Sequence, residues 1–379
     1  MRPVGISSRQ VLVLTVGLLV GTSTVLTSAS PAKADQWWVL LVAALIAIVF
    51  CTLVWGALVE RARRAQHAGT FGESFWILLA GPVLGRVAAA AYFFYFVCLA
   101  ALVMRHLVTV LGLSVLPSTP TAVLILLFAA MAVWSSSQGI EGVARLAEII
   151  IPASYAASWA VLILSFLTPG LLHLDRLLPF LDLGWRPVIH GIATAITFPF
   201  LELVALLPVL LWLPEPRDGI PMIRRGIVMS ALLLSGLALR NVTALGVEEA
   251  SRYVFPGLAS VELVRVGRFI ERIDVLALFV WVNAGFIKLA VVLLASAGCL
   301  RDLLDLQGRA EMAPLEVALG FVVAALTGGL YANNREMVEF AVNVYPVFAA
   351  SFQVVLPLVL LFAGPRLRRP GRNRAPSTR

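Results

Sequence analysis

Gly17-Leu18-Leu19-Val20-Gly21-Thr22-Ser23-Thr24 and Thr197-Phe198-Pro199-Phe200-Leu201-Glu202 decide how this chain is read. Each interrupts an apolar run, residues 10–29 and 188–212, with Gly, Pro or small polar residues. A bilayer offers no water to the backbone groups that a broken helix frees, so breaks persist only when buried in protein or lining a cavity. Interrupted spans at matching places in two halves of a membrane chain point to a transporter-type binding site near the midplane.

Composition supplies the membrane setting. With 60% hydrophobic and 13% charged residues and a mean hydropathy of +0.94, the chain has too little polar surface for a soluble globule of this length. About ten apolar stretches of roughly 17–25 residues recur, each long enough to cross a hydrocarbon core. They are read at 10–29, 38–58, 83–110, 121–136, 147–168, 188–212, 223–246, 273–298, 313–332 and 344–363. Splitting them five plus five puts the interrupted spans first in each half. Five is odd, so the second half must be inverted: an all-α membrane protein built as an inverted repeat, about 10–168 and 188–363, in one transmembrane domain 1–363.

Basic residues set the orientation. With the N-terminus inside, the inner loops hold Arg61, Arg63, Arg64, Arg145, Arg217, Arg224, Arg225, Arg301 and Arg309, and both termini are cytoplasmic. The net charge of +8 is then a topology signal, and no nucleic-acid partner is expected. A basic, disordered tail, 364–379, would meet anionic lipid heads of the bilayer. Arg2, Arg9, the first apolar run and Ala32-Lys33-Ala34 also fit a cleavable signal peptide. The run exceeds the about 7–15 residues of such a segment and carries the break, which favours a retained helix. Between spans, on the outer side, 247–272 has apolar residues at helical spacing interleaved with Glu262, Arg265 and Arg268, and reads as an amphipathic helix at the membrane surface or over a vestibule.

The three cysteines lie far apart and the four histidines show no ligand spacing, so no metal site, disulfide framework or cofactor is expected. No nucleophile elbow, P-loop or catalytic carboxylate pair stands out, and an enzyme is not expected. The chemistry-bearing residues are those inside the spans. Gly17 and Gly21 form a GxxxG, which fits either close helix packing or an unwound Gly21-Thr22-Ser23 whose bared backbone meets a ligand. Pro199 removes a backbone hydrogen bond and kinks its helix. Glu202 and Lys288 are ionisable groups near the midplane, where such residues default to functional hypotheses. A mutual pair would offset the burial of both. Glu202 directly follows the break, so it is expected to serve a ligand or proton. Asn283, about 140° around the helix from Lys288, and Tyr92 with Tyr95 could supply polar groups to a cavity or bond neighbouring helices. Glu141, Arg145 and Glu148 read as an exposed, salt-bridged helical face.

Several blocks recur in one order: Ile6-Ser7-Ser8-Arg9-Gln10, Gly21-Thr22-Ser23, Leu178-Pro179, Phe198-Pro199-Phe200-Leu201-Glu202, Phe255-Pro256-Gly257, Phe269-Ile270-Glu271-Arg272-Ile273-Asp274, Trp281 and Phe286-Ile287-Lys288-Leu289. Together they resemble the GerAB-type spore germination permeases, the B subunits of germinant receptors, over about residues 6–363. That family more often has Glu where Asp274 stands. The resemblance implies membership of the amino acid–polyamine–organocation superfamily and a LeuT-like fold, with ten helices and a small ligand held between unwound parts of helices one and six. In that superfamily the first break is typically Gly-x-Gly, and Ser23 replaces the second glycine. Leu201 stands where a glycine often precedes the helix-six Glu, and both changes narrow the site. The resemblance also implies an extracellular lid at 247–272. It implies a location in the spore inner membrane, with an A-type membrane subunit and a C-type lipoprotein as partners in triggering release of ions and dipicolinate. The alternatives are a proton-coupled amino acid transporter cycling Glu202 or Lys288, and a scaffolding subunit with a vestigial site. The candidate ligand-binding residues are Gly17, Gly21, Thr22, Ser23, Tyr92, Thr197, Phe198, Pro199, Glu202, Asn283 and Lys288, for an amino acid or similar small nutrient.

Overall fold

Ser7 starts the first helix, α1 (Ser8–Ser23), with a capping box: its hydroxyl accepts from the Gln10 amide at 3.2 Å, and the Gln10 side chain accepts from the Ser7 amide at 2.8 Å. In this computed structural model, residues 5–24, 26–67, 74–265, 273–306 and 309–363 are described, and they are helical with no β-strand among them. The expected basic tail 364–379 and residues 266–272 of the connection 247–272 lie outside the described residues. At its far end α1 stays helical through Gly21-Thr22-Ser23, so the unwinding expected there is not found; the Thr22 hydroxyl accepts from Lys288, and those of Ser23 and Thr24 have no partner among the described residues. The chain then turns through a 3-10 segment, Ser30–Asp35, into α2 (Gln36–Phe50). A π turn at Cys51–Trp55 carries α2 into α3 (Gly56–His67).

The next helix, α4 (Phe75–Ser114), bends at Gly81, whose φ of 79° is open to glycine and which precedes Pro82. Then come α5 (Thr121–Ser137), α6 (Gly139–Leu167) and α7 (Trp185–Thr197). After α7 the chain is extended at Phe198 and resumes as 3-10 turns, Phe200–Leu206 and Pro208–Trp212. Pro199, with no N–H to donate, sits at this change. The remainder is α8 (Gly219–Leu245), two short helices α9 (Val247–Ala250) and α10 (Pro256–Glu262), α11 (Asp274–Leu304) and α12 (Arg309–Gly329). A last composite segment joins α13 (Asn334–Glu339), α14 (Tyr345–Ala350) and α15 (Leu356–Ala363) through π turns.

Among the described residues, eight helical segments are long and apolar enough to cross a membrane; α1 and α5 are shorter apolar helices. Large apolar side chains such as Leu45, Leu53, Val83 and Phe362 face outward, as lipid permits, since lipid tails are as apolar as leucine. Inside, α11 is the central post, packed against α1, α4, α5 and α6, while α1 also touches α8. In the connection after α8, α10 buries Gly257, Leu258, Ala259, Ser260 and Val261 among its neighbours α8 and α11. A further local expectation changes. Glu148 departs from its expected ion-paired face: it accepts from the Gln10 side chain at 3.0 Å, tying α6 to α1, whereas Arg145 reaches Glu141 at 3.8 Å.

Candidate functional site

Lys288 sits mid-way along α11 and Glu202 in the first turn after Pro199, so two helices deliver opposite charges to one buried point. Their side chains form an ion pair. The Lys288 ammonium also donates to the Thr22 hydroxyl at 2.8 Å, near the end of α1, and lies 5.1 Å from the Phe198 ring centroid. The second Glu202 oxygen accepts from the Tyr345 hydroxyl. A buried charge is tolerable only when paired and hydrogen-bonded, and each of these two is both.

Next to this pair the chain end of α7 is also provided for. The Gln353 side-chain amide, from the π turn before α15, donates to the Thr197 carbonyl at 2.9 Å and to the Tyr95 hydroxyl at 2.6 Å. Tyr95 in turn lies 3.3 Å from Tyr345. A continuous polar network thus links α1, α4, α11, the α7 break and the last span. The Gln353 side-chain oxygen has no hydrogen-bond partner among the described residues, so this network is not fully satisfied.

Glu202, Tyr345 and Thr22 open onto a cavity of ≈ 330 Å³, part of it open to solvent. Leu26, Leu99, Leu102, Val103, Phe198, Phe340 and Ala341 supply apolar wall, and His106 and Tyr331 complete it. His106 Nε2 and the Tyr331 hydroxyl are buried without a hydrogen-bond partner among the described residues. A mostly apolar hollow with a few convergent polar groups is the usual form of a small-molecule site.

Of the residues expected at the site, Thr22, Phe198 and Glu202 line the cavity, and Lys288 stands behind Glu202. Thr197 and Pro199 shape the break; the Thr197 hydroxyl bonds its own helix. Ser23 is buried with its hydroxyl unpartnered, off the cavity wall. Four more residues lie off the cavity wall. Gly17 and Gly21 lie inside α1, where a Cβ would come within 2.9 Å of Ile151 and 2.7 Å of the Ala284 carbonyl, so both serve helix packing. Tyr92 stacks on Trp76 with centroids 3.9 Å apart and donates to the Phe352 carbonyl at 3.0 Å, which commits its hydroxyl elsewhere. Asn283 turns its amide to the Phe279 carbonyl one turn back, 2.7 Å away. Sequence reasoning missed Tyr345, Gln353, His106 and Tyr331. The signal for the first three was a polar side chain inside an apolar span, the same that marked Glu202.

Residues 5–330 match a family profile described as spore germination protein. Spore germination protein KB of Bacillus subtilis (strain 168) is 25% identical over 357 residues, 94% of this chain and 93% of that protein. Spore germination protein XB of Bacillus anthracis is 23% identical over 265 residues, 68% of this chain and 70% of its own. Among solved structures, a Na+-coupled sialic acid symporter in a substrate-bound, outward-open state superposes with a TM-score of 0.65 at 12% identity, over 96% of this chain and 89% of that one. A nucleobase–cation–symport-1 family transporter in a closed conformation gives 0.61 at 13%, over 95% and 78%. At such identities the likeness is one of fold: a LeuT-type helical transporter architecture. The chain belongs to the spore germination protein family.

Proposed function

We propose that this protein is the B-type membrane subunit of a germinant receptor. It binds an amino acid or similar small nutrient in the cavity beside Glu202. With an A-type membrane subunit and a C-type lipoprotein in the spore inner membrane, it converts binding into germination. The observation that carries the reading is that the Glu202 carboxylate lines an apolar-walled cavity while Lys288 holds it from behind. The walls of Leu99, Leu102, Val103 and Phe340 suit a small apolar side chain. His106 and Tyr331 offer hydrogen-bonding capacity that no described residue uses. A ligand polar group reaching Glu202 competes with Lys288 and Tyr345, which join three helical elements there. Binding can therefore shift a conformational equilibrium without completing transport.

The test uses the purified chain and a panel of amino acids, sugars and nucleosides, read by ligand-dependent shifts in the thermal unfolding midpoint. At least one nutrient should stabilise saturably, and the cavity-filling Val103→Trp should abolish that response while the protein remains folded. An unchanged response in a folded Val103→Trp would move the ligand elsewhere. Uptake of labelled amino acid into proteoliposomes under a pH gradient would replace the receptor reading with a proton-coupled transporter.

A further inference from the structure

A second cavity lies beneath α10, and its wall contains an arginine that no acid among the described residues neutralises. Arg240, on the last turns of α8, is 1% exposed. Its Nε and Nη2 donate to the Asn241 side-chain oxygen at 3.2 and 2.8 Å, and Nη2 also to the Gly257 carbonyl at 3.0 Å. Asn241 is held in turn by the Ser260 hydroxyl, which donates to the same oxygen at 2.7 Å. These are neutral acceptors. Neither N–H of Nη1 has a partner among the described residues, and no carboxylate pairs with the guanidinium. Arginine cannot shed its proton to relieve the burden. A buried charge without a counter-charge costs several kcal/mol.

The hollow beside it measures ≈ 400 Å³, part of it open to solvent. Thr24, Ser158, Gly257, Leu258 and Leu278 contribute to its wall, and Arg240 is the only ionisable residue lining it among those described. Thr24 Oγ1 is buried with no hydrogen-bond partner. An uncompensated guanidinium and an unused hydroxyl thus share one largely apolar hollow. Planar guanidinium donors match carboxylates, and in a dry site any small anion gains from them.

We propose that this cavity is a binding site for a small monovalent anion, either a carboxylate or a halide, held by Arg240 and Thr24. The anion would bridge α8, the end of α1 and α10. Thr22 lines the central cavity and Thr24 this one, so occupancy here bears on the same helix end without requiring that the central cavity bind a nutrient.

The experiment takes the purified full chain in detergent and titrates sodium chloride or sodium acetate at constant ionic strength, balanced with sodium HEPES. The readout is the thermal unfolding midpoint. The midpoint should rise saturably with at least one of the two salts. Chloride alone identifies a halide site, acetate alone a carboxylate site, and both a shape-tolerant one. In Arg240→Met the saturable rise should vanish. Thr24→Val keeps the guanidinium and should raise the half-saturating concentration about tenfold, as loss of one hydrogen bond to a charged group implies. Should Arg240→Met fail to fold, Thr24→Val decides by itself. Wild-type protein that responds to neither salt, or only linearly and equally in the variants, overturns the proposal.

Discussion

Gly17 and Gly21 stand four residues apart on α1 and meet neighbours of different stiffness. A Cβ at position 17 would press on the flexible end of Ile151; one at position 21 would press on the backbone of Ala284 and Gly285. Gly21→Ala should therefore destabilise the detergent-solubilised protein by about 1–3 kcal/mol, while Gly17→Ala should change little as Ile151 finds another rotamer. Thermal unfolding of the two variants side by side checks this, and equal losses would contradict it. The GxxxG pattern admitted both packing and ligand contact when read as sequence, because spacing alone does not say what stands opposite. Glu202 and Lys288 were legible for the opposite reason: a charge inside an apolar span needs a partner whatever the fold. That the partner was each other, with Tyr345 and Thr22 completing the set, required knowing which helices meet.

Of the two expected breaks, the one at Phe198-Pro199 was legible, because a proline cannot donate to a helix. The unwound Gly21-Thr22-Ser23 is not found: α1 stays helical to Ser23. The donor to the Thr197 carbonyl at the α7 end, Gln353, was not legible, because that residue comes from a span 156 positions on. Replacing it tests the element directly. Gln353→Leu leaves the Thr197 carbonyl and the Tyr95 hydroxyl without that donor. It should lower stability by about 1–3 kcal/mol, the usual penalty for stranding buried polar groups. Gln353→Glu, which keeps the shape but loses the amide donors, should not rescue it. Wild-type unfolding in Gln353→Leu would mean that the break is held by other contacts. For the connection after α8, periodicity left a helix at the membrane surface and one over a vestibule both open; it does not say what covers an apolar stripe, and α10 is covered by α8 and α11.

For the whole molecule, the apolar periodicity, the odd number of spans per half and the arginine asymmetry pointed to an inverted-repeat permease with both ends inside. The transporter likeness agrees with that reading at the level of fold. Sidedness has its own test. In intact cells a membrane-impermeant maleimide should label the exposed Ser251→Cys from outside, whereas Ser260→Cys, fully buried on α10, should stay protected until the protein is unfolded. Labelling of Ser251→Cys only after permeabilisation would invert the topology.

The central claim is that Glu202 serves a ligand while Lys288 balances its charge, and one comparison addresses it: Glu202→Gln, Lys288→Met and the double variant, each scored for membrane abundance and for nutrient response. Each single change leaves the other charge buried and unpaired, at a cost of about 3–5 kcal/mol, so abundance should fall. The double variant removes both charges and should recover abundance through favourable coupling. Its nutrient response should remain absent, because the carboxylate lining the cavity is gone. Recovery of both abundance and response in the double variant would reduce the pair to packing and contradict the account.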